Sequence, residues 1–187
     1  DLAAVHAAVR PPDNAREHWA FQPVRPVTIP DTDTPGSAQN PIDRFLLARL
    51  ETAAIQPAPP ADPRTLIRRL SLDLTGLPPE PTDVDRFITD TAHDRTGATS
   101  RLIDRLLNSP RYGERWGRHW LDVARYSDTK GYVYGREEPR FVHAPAYRDW
   151  VIHALNTDLP YDRFLMLQLA ADQLVPADSP DLAALGF

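Results

Sequence analysis

The sequence predicts an all-α protein, an irregular bundle of about seven helices with an extended N-terminal arm and one long aromatic and charged loop. Apolar residues recur at helical spacing in successive segments, and several segments begin with Asn, Asp or Ser followed by proline. No segment alternates apolar and polar residues as a half-buried strand does. The links between segments have about two to eight residues, which is usual between packed helices.

Composition narrows the classes of function. A chain of 187 residues, 42% of them hydrophobic, can bury one sizeable core. A net charge of −5 without a long basic run argues against a nucleic-acid partner. No cysteine is present, which excludes a disulfide, a thiolate metal site and covalent haem attachment on this chain. No apolar run reaches about 18 residues, so we expect no membrane span, and the spacing of carboxylates predicts no metal site.

Residues 1–39 are predicted to form an arm, and residues 40–187 a helical domain. The segment "AAVHAAV" fits a short helix, and the rest of the arm is proline-rich and lacks a period. We expect Trp19 and Phe21 to pack the arm on the body. The chain begins without methionine or a visible signal peptide, so we expect a piece of a larger protein.

Each predicted helix has its own start signal and apolar face. The predicted N-caps are Asn40, Asp62, Thr82 and Ser109, and proline follows all of them except Thr82. The apolar positions are Ile42, Phe45, Leu46 and Leu50; Leu66, Ile67 and Leu70; Leu102, Ile103, Leu106 and Leu107; and Tyr147, Trp150 or Val151, Ala154 and Leu155. Gly76 and Pro78 mark the end of the second helix. The last helix lies in "LPYDRFLMLQLAADQL".

The segment from residue 110 to 126 is predicted to be one helix with two different faces. Tyr112, Trp116, Trp120 and Val123 share one side, and Gly113, Gly117 and Ala124 lie beside them. Small residues beside tryptophans let another helix approach closely. We therefore expect this side to be the packing surface of the helix.

The second face carries a polar stripe of Arg111, Arg115, His119, Asp122 and Tyr126. His119 lies at the border with the tryptophans, and Asp122 is three residues further on, within reach of a ring nitrogen. A histidine oriented by a carboxylate occurs in catalysis, in metal binding and in haem ligation. The same spacing is also common in ordinary helix-surface pairs. Both interpretations are open at this point.

A long loop from Thr129 to His143 continues the stripe, and loops of this length inside a compact domain often bind ligands. Its run "GYVYG" is compatible with a short strand pair. The mixture of carboxylates, tyrosines and arginines suits a network of sugar hydroxyls. The predicted catalytic residues are His119, Asp122, Arg125, Tyr126 and Asp128, and the predicted substrate contacts are Arg115, Tyr132, Tyr134 and Arg140.

Five quoted segments resemble one family in one order, over residues 18–187. They are "HWAFQPV", "NPIDRFLLARLE", "RTLIRRLSLDLTGLPP", "LLNSPRYGERWGRHWLDVARYSDTKGY" and "YRDWVIHALNTDLPYDRFLMLQLAADQL". The family is the planctomycete cytochrome-associated domain of unknown function numbered fifteen-forty-nine. The resemblance implies a periplasmic or extracellular protein, in which this domain lies between a cytochrome c domain and a C-terminal domain. In the family the domain runs further, so we expect this chain to be truncated at its C-terminal end.

The resemblance implies no cofactor carried by this chain and a possible c-type haem from sequence outside it, with His119 and His143 as its candidate contacts. The first functional hypothesis is a helical scaffold that forms a pocket beside this haem, in redox steps of polysaccharide breakdown. The second is a non-catalytic module that binds a glycan or a protein. The third is a hydrolase that uses His119, Asp122 and Asp128.

Overall fold

A computed structural model describes residues 15–32, 40–132, 135 and 140–187. The α-helices are α1 (Pro41–Thr52), α2 (Pro63–Leu74), α3 (Pro81–His93), α4 (Arg95–Leu107), α5 (Pro110–Val123), α6 (Ala144–Asn156) and α7 (Tyr161–Leu174). Short 3-10 helices span Ala15–Glu17, Trp19–Phe21 and Pro180–Gly186. Because the described residues contain no strand, the all-α prediction is confirmed. No helix within the described ranges combines the length and the apolar character needed to cross a membrane.

The chain divides into two compact units, Asp1–Pro59 and Pro60–Phe187. The first contains α1 and two of the 3-10 helices, where the rings of Trp19 and Phe21 lie 5.6 and 5.8 Å from the ring of His18. The second contains α2 to α7 and the C-terminal 3-10 helix. The division at residue 40 and the packing of the arm on the body stay predictions. The predicted helix in "AAVHAAV" lies outside the described residues.

Three of the predicted N-caps are confirmed. The side chain of Asn40 accepts a hydrogen bond from the Asp43 amide at 3.0 Å, and Asp43 completes a capping box. Asp62 accepts from the Thr65 amide at 3.0 Å, and Ser109 accepts from the Arg111 amide at 3.3 Å. Each cap satisfies an amide that has no partner within the helix, and the following proline lacks such an amide.

The predicted start of α3 is wrong, because the helix begins at Pro81 and not after Thr82. Its N-cap is Glu80, whose side chain makes no capping hydrogen bond. Proline is favourable at a first helical position because its fixed φ already suits the helix. α4 also begins earlier than its apolar residues indicate, at Arg95, where Asp94 accepts from the Gly97 amide at 2.9 Å.

The second unit has two apolar cores. The α2–α4 core consists of Ile67, Val84, Phe87, Ala98, Leu102 and Leu106. The α6–α7 core consists of Tyr147, Trp150, Val151, Ala154, Phe164, Leu167, Ala171 and Ala184. The predicted buried face of α6 is thus confirmed. In the first unit the α1 pattern is less predictive, since Leu47 is buried whereas Ile42, Phe45 and Leu46 are exposed.

Glycines bring α5 close to α6. Gly113 and Gly117 are the buried residues of α5, and a Cβ atom added to Gly113 would lie 2.5 Å from the carbonyl oxygen of Ile152. The amide of Gly113 donates to Asn156 Oδ1 at 2.8 Å, and Asn156 Nδ2 donates to the Pro110 carbonyl at 3.1 Å. The prediction of small residues at a close helix contact is therefore confirmed.

The tryptophan side of α5 is only partly buried. Trp120 packs against the α6–α7 core as predicted. Trp116 is 37% exposed and Val123 is 68% exposed, so the prediction that both belong to the packing surface is wrong. The reason is that the face bearing Gly113 and Gly117, rather than the neighbouring tryptophan side, meets α6.

A buried hydrogen-bond network joins three helices beside this core. Trp120 Nε1 donates to the hydroxyl of Tyr147 at 3.0 Å and to Oε1 of Gln168 at 2.9 Å. The Tyr147 hydroxyl donates to the same Oε1 atom at 2.7 Å. Gln168 Nε2 donates to the Phe164 carbonyl at 3.1 Å. Every polar group of the network thus has a partner, as buried polar groups require.

Candidate functional site

The end of α5 sets the geometry of the candidate site. The helix ends at Val123, so the prediction of one helix from residue 110 to 126 is wrong. Arg125 adopts a left-handed conformation with φ 54°, and the Tyr126 amide donates back to the Leu121 carbonyl at 2.9 Å. This is a Schellman-type helix end. Tyr126 therefore leaves the polar stripe and packs, together with Leu121, against the α6–α7 core.

The turn after α5 places Tyr126 in a polar network. Its hydroxyl donates to a carboxylate oxygen of Asp128. Arg148, on α6, lies 3.7 Å from the other Asp128 oxygen and donates to Asp149 at 2.9 Å. Burial raises the pKa of Tyr126 to about 12, with a further contribution from the hydrogen bond to Asp128. The Tyr126 phenol is therefore held neutral as a donor, and is not prepared to act as a base.

The two ends of the loop that follows are hydrogen-bonded to each other next to this network. The Phe141 amide donates to the Asp128 carbonyl at 2.8 Å, and Thr129 forms an isolated antiparallel bridge with Arg140. The predicted strand pair in "GYVYG" is absent from the part of the loop that the structure describes, where this single bridge is the paired element. Residues 133, 134 and 136–139 of the loop are not described.

Two clefts adjoin each other at Tyr126 and Ser127, which line both of them. The first cleft, of about 400 Å³, is lined by Glu114, Arg118, Leu121, Asp122, Asp128, Arg148 and Ile152 in addition to these two residues. The second cleft, of about 460 Å³, contains Arg125 and His143 and has a largely apolar lining. The structure therefore brings Asp122, Arg125, Tyr126, Asp128 and His143 together around one turn.

His119 does not join this group. Its side chain is exposed, lines neither cleft, and makes no hydrogen bond with Asp122. Its ring instead contacts Trp116 edge-on, with 5.3 Å between the ring centroids. The predicted carboxylate-oriented histidine is therefore wrong, because the imidazole turns toward the aromatic residue three positions before it. Any catalytic or cofactor role of His119 would have to operate without that pair.

Of the predicted substrate contacts, the three that the structure describes, Arg115, Tyr132 and Arg140, line neither cleft. Arg115 packs on the turn after α2, where a Cβ atom added to Gly76 would lie 3.0 Å from its Cδ atom. Its Nε atom is buried without a hydrogen-bond partner among the described residues. Tyr132 is 94% exposed, and Arg140 lies at the base of the loop. Tyr134 is outside the described residues. Their substrate-binding role stays a prediction.

Sequence reasoning missed several residues of the site. Arg118 lies one position before His119 and lines the first cleft, but it does not belong to the predicted polar stripe of α5. Arg148 pairs with its sequence neighbour Asp149 and also contacts Asp128, which belongs to the turn after α5. The missing information is long-range, since no local pattern connects the end of α5 with Arg148 on α6.

The clefts carry charged and hydroxyl side chains, some of which are paired with one another. Asp128 is already engaged by Tyr126 and Arg148, and among the clefts' described residues no histidine hydrogen-bonds to a serine or a carboxylate. Such a pair is one common form of activated nucleophile or general base. Within the described ranges, no group of three His, Asp or Glu side chains lies close enough to hold a metal ion jointly. What the clefts do offer is an arrangement of charged and hydroxyl groups around an aromatic ring.

The network around Tyr126 makes stability depend on pH in a defined direction. A phenol whose pKa is raised from 10 to about 12 contributes stability that is complete below pH 10 and is lost as the pH rises through 12. We expect urea-unfolding free energies to fall over this interval, and to fall less in a Tyr126→Phe variant. If the unfolding free energy fell equally with pH in the parent and in Tyr126→Phe, the result would contradict the network. Burial also raises the pKa of Tyr147, which contributes to the pH dependence of both proteins. The contribution of Tyr126 is therefore the difference in pH dependence between the parent and Tyr126→Phe.

Comparison with known proteins identifies a family. The model of the family described as "PSCyt2: Protein of unknown function (DUF1549)" matches residues 41–187. The match covers α1 to α7 and the C-terminal 3-10 helix, and it confirms the resemblance found in the sequence. No curated protein and no solved structure matches the chain.

Proposed function

Because the chain belongs to the PSCyt2 family of proteins of unknown function, we propose that it is the helical scaffold domain of an exported protein associated with a c-type cytochrome. In this proposal the two clefts around Tyr126 form the pocket that the domain presents beside the haem, in the periplasm or outside the cell. The observation that carries the proposal is the gathering of Asp122, Arg125, Tyr126, Asp128 and His143 around one turn of the second unit.

The residues of the second cleft fit contact with a haem that other sequence supplies. Covalent attachment of a c-type haem needs cysteines, and this chain has none. His143 lines the second cleft beside four alanines, whereas His119 lines neither cleft. His143, and not His119, is therefore the histidine through which this domain would meet the haem. Its ring nitrogens can ligate iron or donate a hydrogen bond, and a haem would supply one-electron transfer.

The scaffold role is supported by the rigidity of the site's frame. Tyr126 is fixed by the Schellman-type helix end, by its contact with the α6–α7 core and by the Asp128 hydrogen bond. Arg148 links the same carboxylate to α6. A binding surface held by several packed elements keeps its shape when a partner docks, which lowers the entropy cost of association.

A full-length protein, produced with a cytochrome c maturation system, tests the proposal. We expect haem absorbance in the purified protein, and a change in the haem spectrum and midpoint potential on His143→Ala but not on the matched His119→Ala. Absence of haem, or identical spectra and potentials for both variants, would refute the proposal. Binding of a polysaccharide, measured by calorimetry, together with a negative haem result would instead support the alternative of a glycan-binding module.

A further inference from the structure

We propose that the second cleft binds a small organic monocarboxylate with an apolar body. The inference deepens the function proposed above, because it assigns a ligand class to the same cleft. It is argued from the charge and the shape of the lining, and it does not require a haem. The cleft is formed by the turn after α5, the first turn of α6 and the C-terminal 3-10 helix, all of which belong to the second unit.

The charge of the lining favours an anion. Arg125 and His143 line the second cleft, and none of the residues that line it is Asp or Glu. The first cleft differs, since Glu114, Asp122 and Asp128 line it. Within the described structure the Arg125 side chain makes no ion pair, whereas Arg111 and Arg148 each have a carboxylate partner. In a chain with a net charge of −5, an unpaired arginine beside a histidine marks a local site for negative charge.

The backbone of Arg125 is held in a defined conformation, although its side chain is exposed. Its backbone has φ 54°, and its amide donates to the Asp122 carbonyl at 3.2 Å. A guanidinium group offers parallel N–H donors that match the two oxygens of a carboxylate. The imidazole of His143 carries at least one N–H donor in either protonation state. Each of these two lining side chains can thus supply a directional partner for a carboxylate in the cleft.

The remaining lining favours an apolar body on the ligand. Ala124, Ala144, Ala146 and Ala183 line the cleft together with Leu182 and the ring of Tyr147. Short side chains leave the volume of about 460 Å³ open, which lies within the range usual for small-molecule sites. Gly186 contributes to this shape, since a Cβ atom there would lie 2.6 Å from Tyr147 Cβ. An aromatic or branched aliphatic acid would fill this space.

Titration of the 187-residue chain with benzoate, followed by amide chemical shifts in NMR spectra, tests the inference. Benzamide is the matched neutral ligand, with the same shape and no charge. We expect benzoate to shift the amides of Ala144 and Ala183 and to bind at least about tenfold more tightly than benzamide. Arg125→Asn keeps a residue tolerated at positive φ and should weaken benzoate binding by roughly tenfold. Arg101→Gln changes an exposed arginine on α4 that lines neither cleft, and it should leave binding unchanged.

Each alternative outcome overturns the inference. Absence of saturable shifts at the second cleft excludes the site. Equal affinity for benzoate and benzamide excludes recognition of the charge, and unchanged affinity in both Arg125→Asn and His143→Gln excludes the assigned partners. If Arg125→Asn fails to fold, the affinity of His143→Gln for benzoate tests the assigned partners by itself. Because this titration contains no haem, its failure is distinguishable from failure of the spectral test on the full-length protein.

Discussion

Gly113→Ala is expected to lower the free energy of unfolding by about 2–4 kcal/mol. The added Cβ atom would lie 2.5 Å from the Ile152 carbonyl oxygen and 2.6 Å from Asn156 Cγ. The first of these neighbours is backbone and cannot rotate away, so α5 and α6 must move apart. Alanine's better helix propensity would return about 1 kcal/mol. The steric cost and the weakened bond from the Gly113 amide to Asn156 exceed that gain.

Two other glycines provide a graded control. A Cβ atom at Gly117 would lie 3.2 Å from Ile152 Cγ1, a side-chain atom that need move by only a few tenths of an ångström. We therefore expect Gly117→Ala to change stability by less than about 1 kcal/mol, because propensity and crowding nearly cancel. No described residue comes within 4 Å of a Cβ atom added to Gly135, and Gly135→Ala should be neutral. Urea unfolding followed by tryptophan fluorescence measures all three, and equal stability of Gly113→Ala and Gly135→Ala would contradict the close packing.

The helices are the part of this structure that sequence predicts best, because their signals are local. At Asn40, Asp62 and Ser109 a short polar side chain precedes a proline, and all three cap helices. The one predicted cap without this dipeptide, Thr82, is the one that is wrong. A proline also marks the start of α3, since Pro81 fixes its own φ at the first position of this helix.

The geometry of the turn after α5 could not be predicted from the sequence. Asp122, Arg125, Tyr126 and Asp128, chosen by residue type, and His143, chosen from the family resemblance, line the two clefts at this turn, and their roles stay predictions. The turn itself depends on a left-handed arginine, a conformation for which glycine is the usual signal, so the pattern was extended as helix through residue 126. A hydrogen-bonded helix end, and not helical periodicity, brings Tyr126 to Asp128.

Rotamer choice explains the failed pairing of His119 with Asp122. The spacing of three residues allows contact on a helix surface. It equally allows His119 to reach Trp116, three residues in the other direction, and the ring contact at 5.3 Å is the one that forms. The side chains of His119 and Asp122 are both exposed, so water can hydrogen-bond to their polar atoms. The ring contact with Trp116 therefore leaves no buried polar atom unpaired. Spacing alone gives both options and does not choose between them.

The second large effect is expected at Gln168, a polar residue on the otherwise apolar buried face of α7. Its side-chain oxygen accepts from both Trp120 Nε1 and the Tyr147 hydroxyl. In Gln168→Leu the Trp120 N–H retains the Tyr147 oxygen, but the hydroxyl proton of Tyr147 loses its acceptor. Because Tyr147 is 3% exposed, water cannot readily replace that acceptor. We expect a loss of about 2–3 kcal/mol in unfolding free energy, the cost of a buried unsatisfied donor.

Two further variants separate this network from simple packing. Tyr147→Phe removes the hydroxyl and leaves Trp120 bonded to Gln168, so it should cost less, about 1 kcal/mol. Gln173→Leu makes the same chemical change at an exposed position of α7 and should stay within about 0.5 kcal/mol of the parent. Gln168→Leu ranks first because it alone leaves a buried donor unpaired, the Tyr147 hydroxyl. Tyr147→Phe ranks second because it removes a buried hydrogen bond but leaves no donor unpaired, and Gln173→Leu ranks last because its position is exposed. If Gln168→Leu were as stable as the parent, leucine packing would outweigh the hydrogen bonds, and the network would contribute to the geometry of the core but not to its stability.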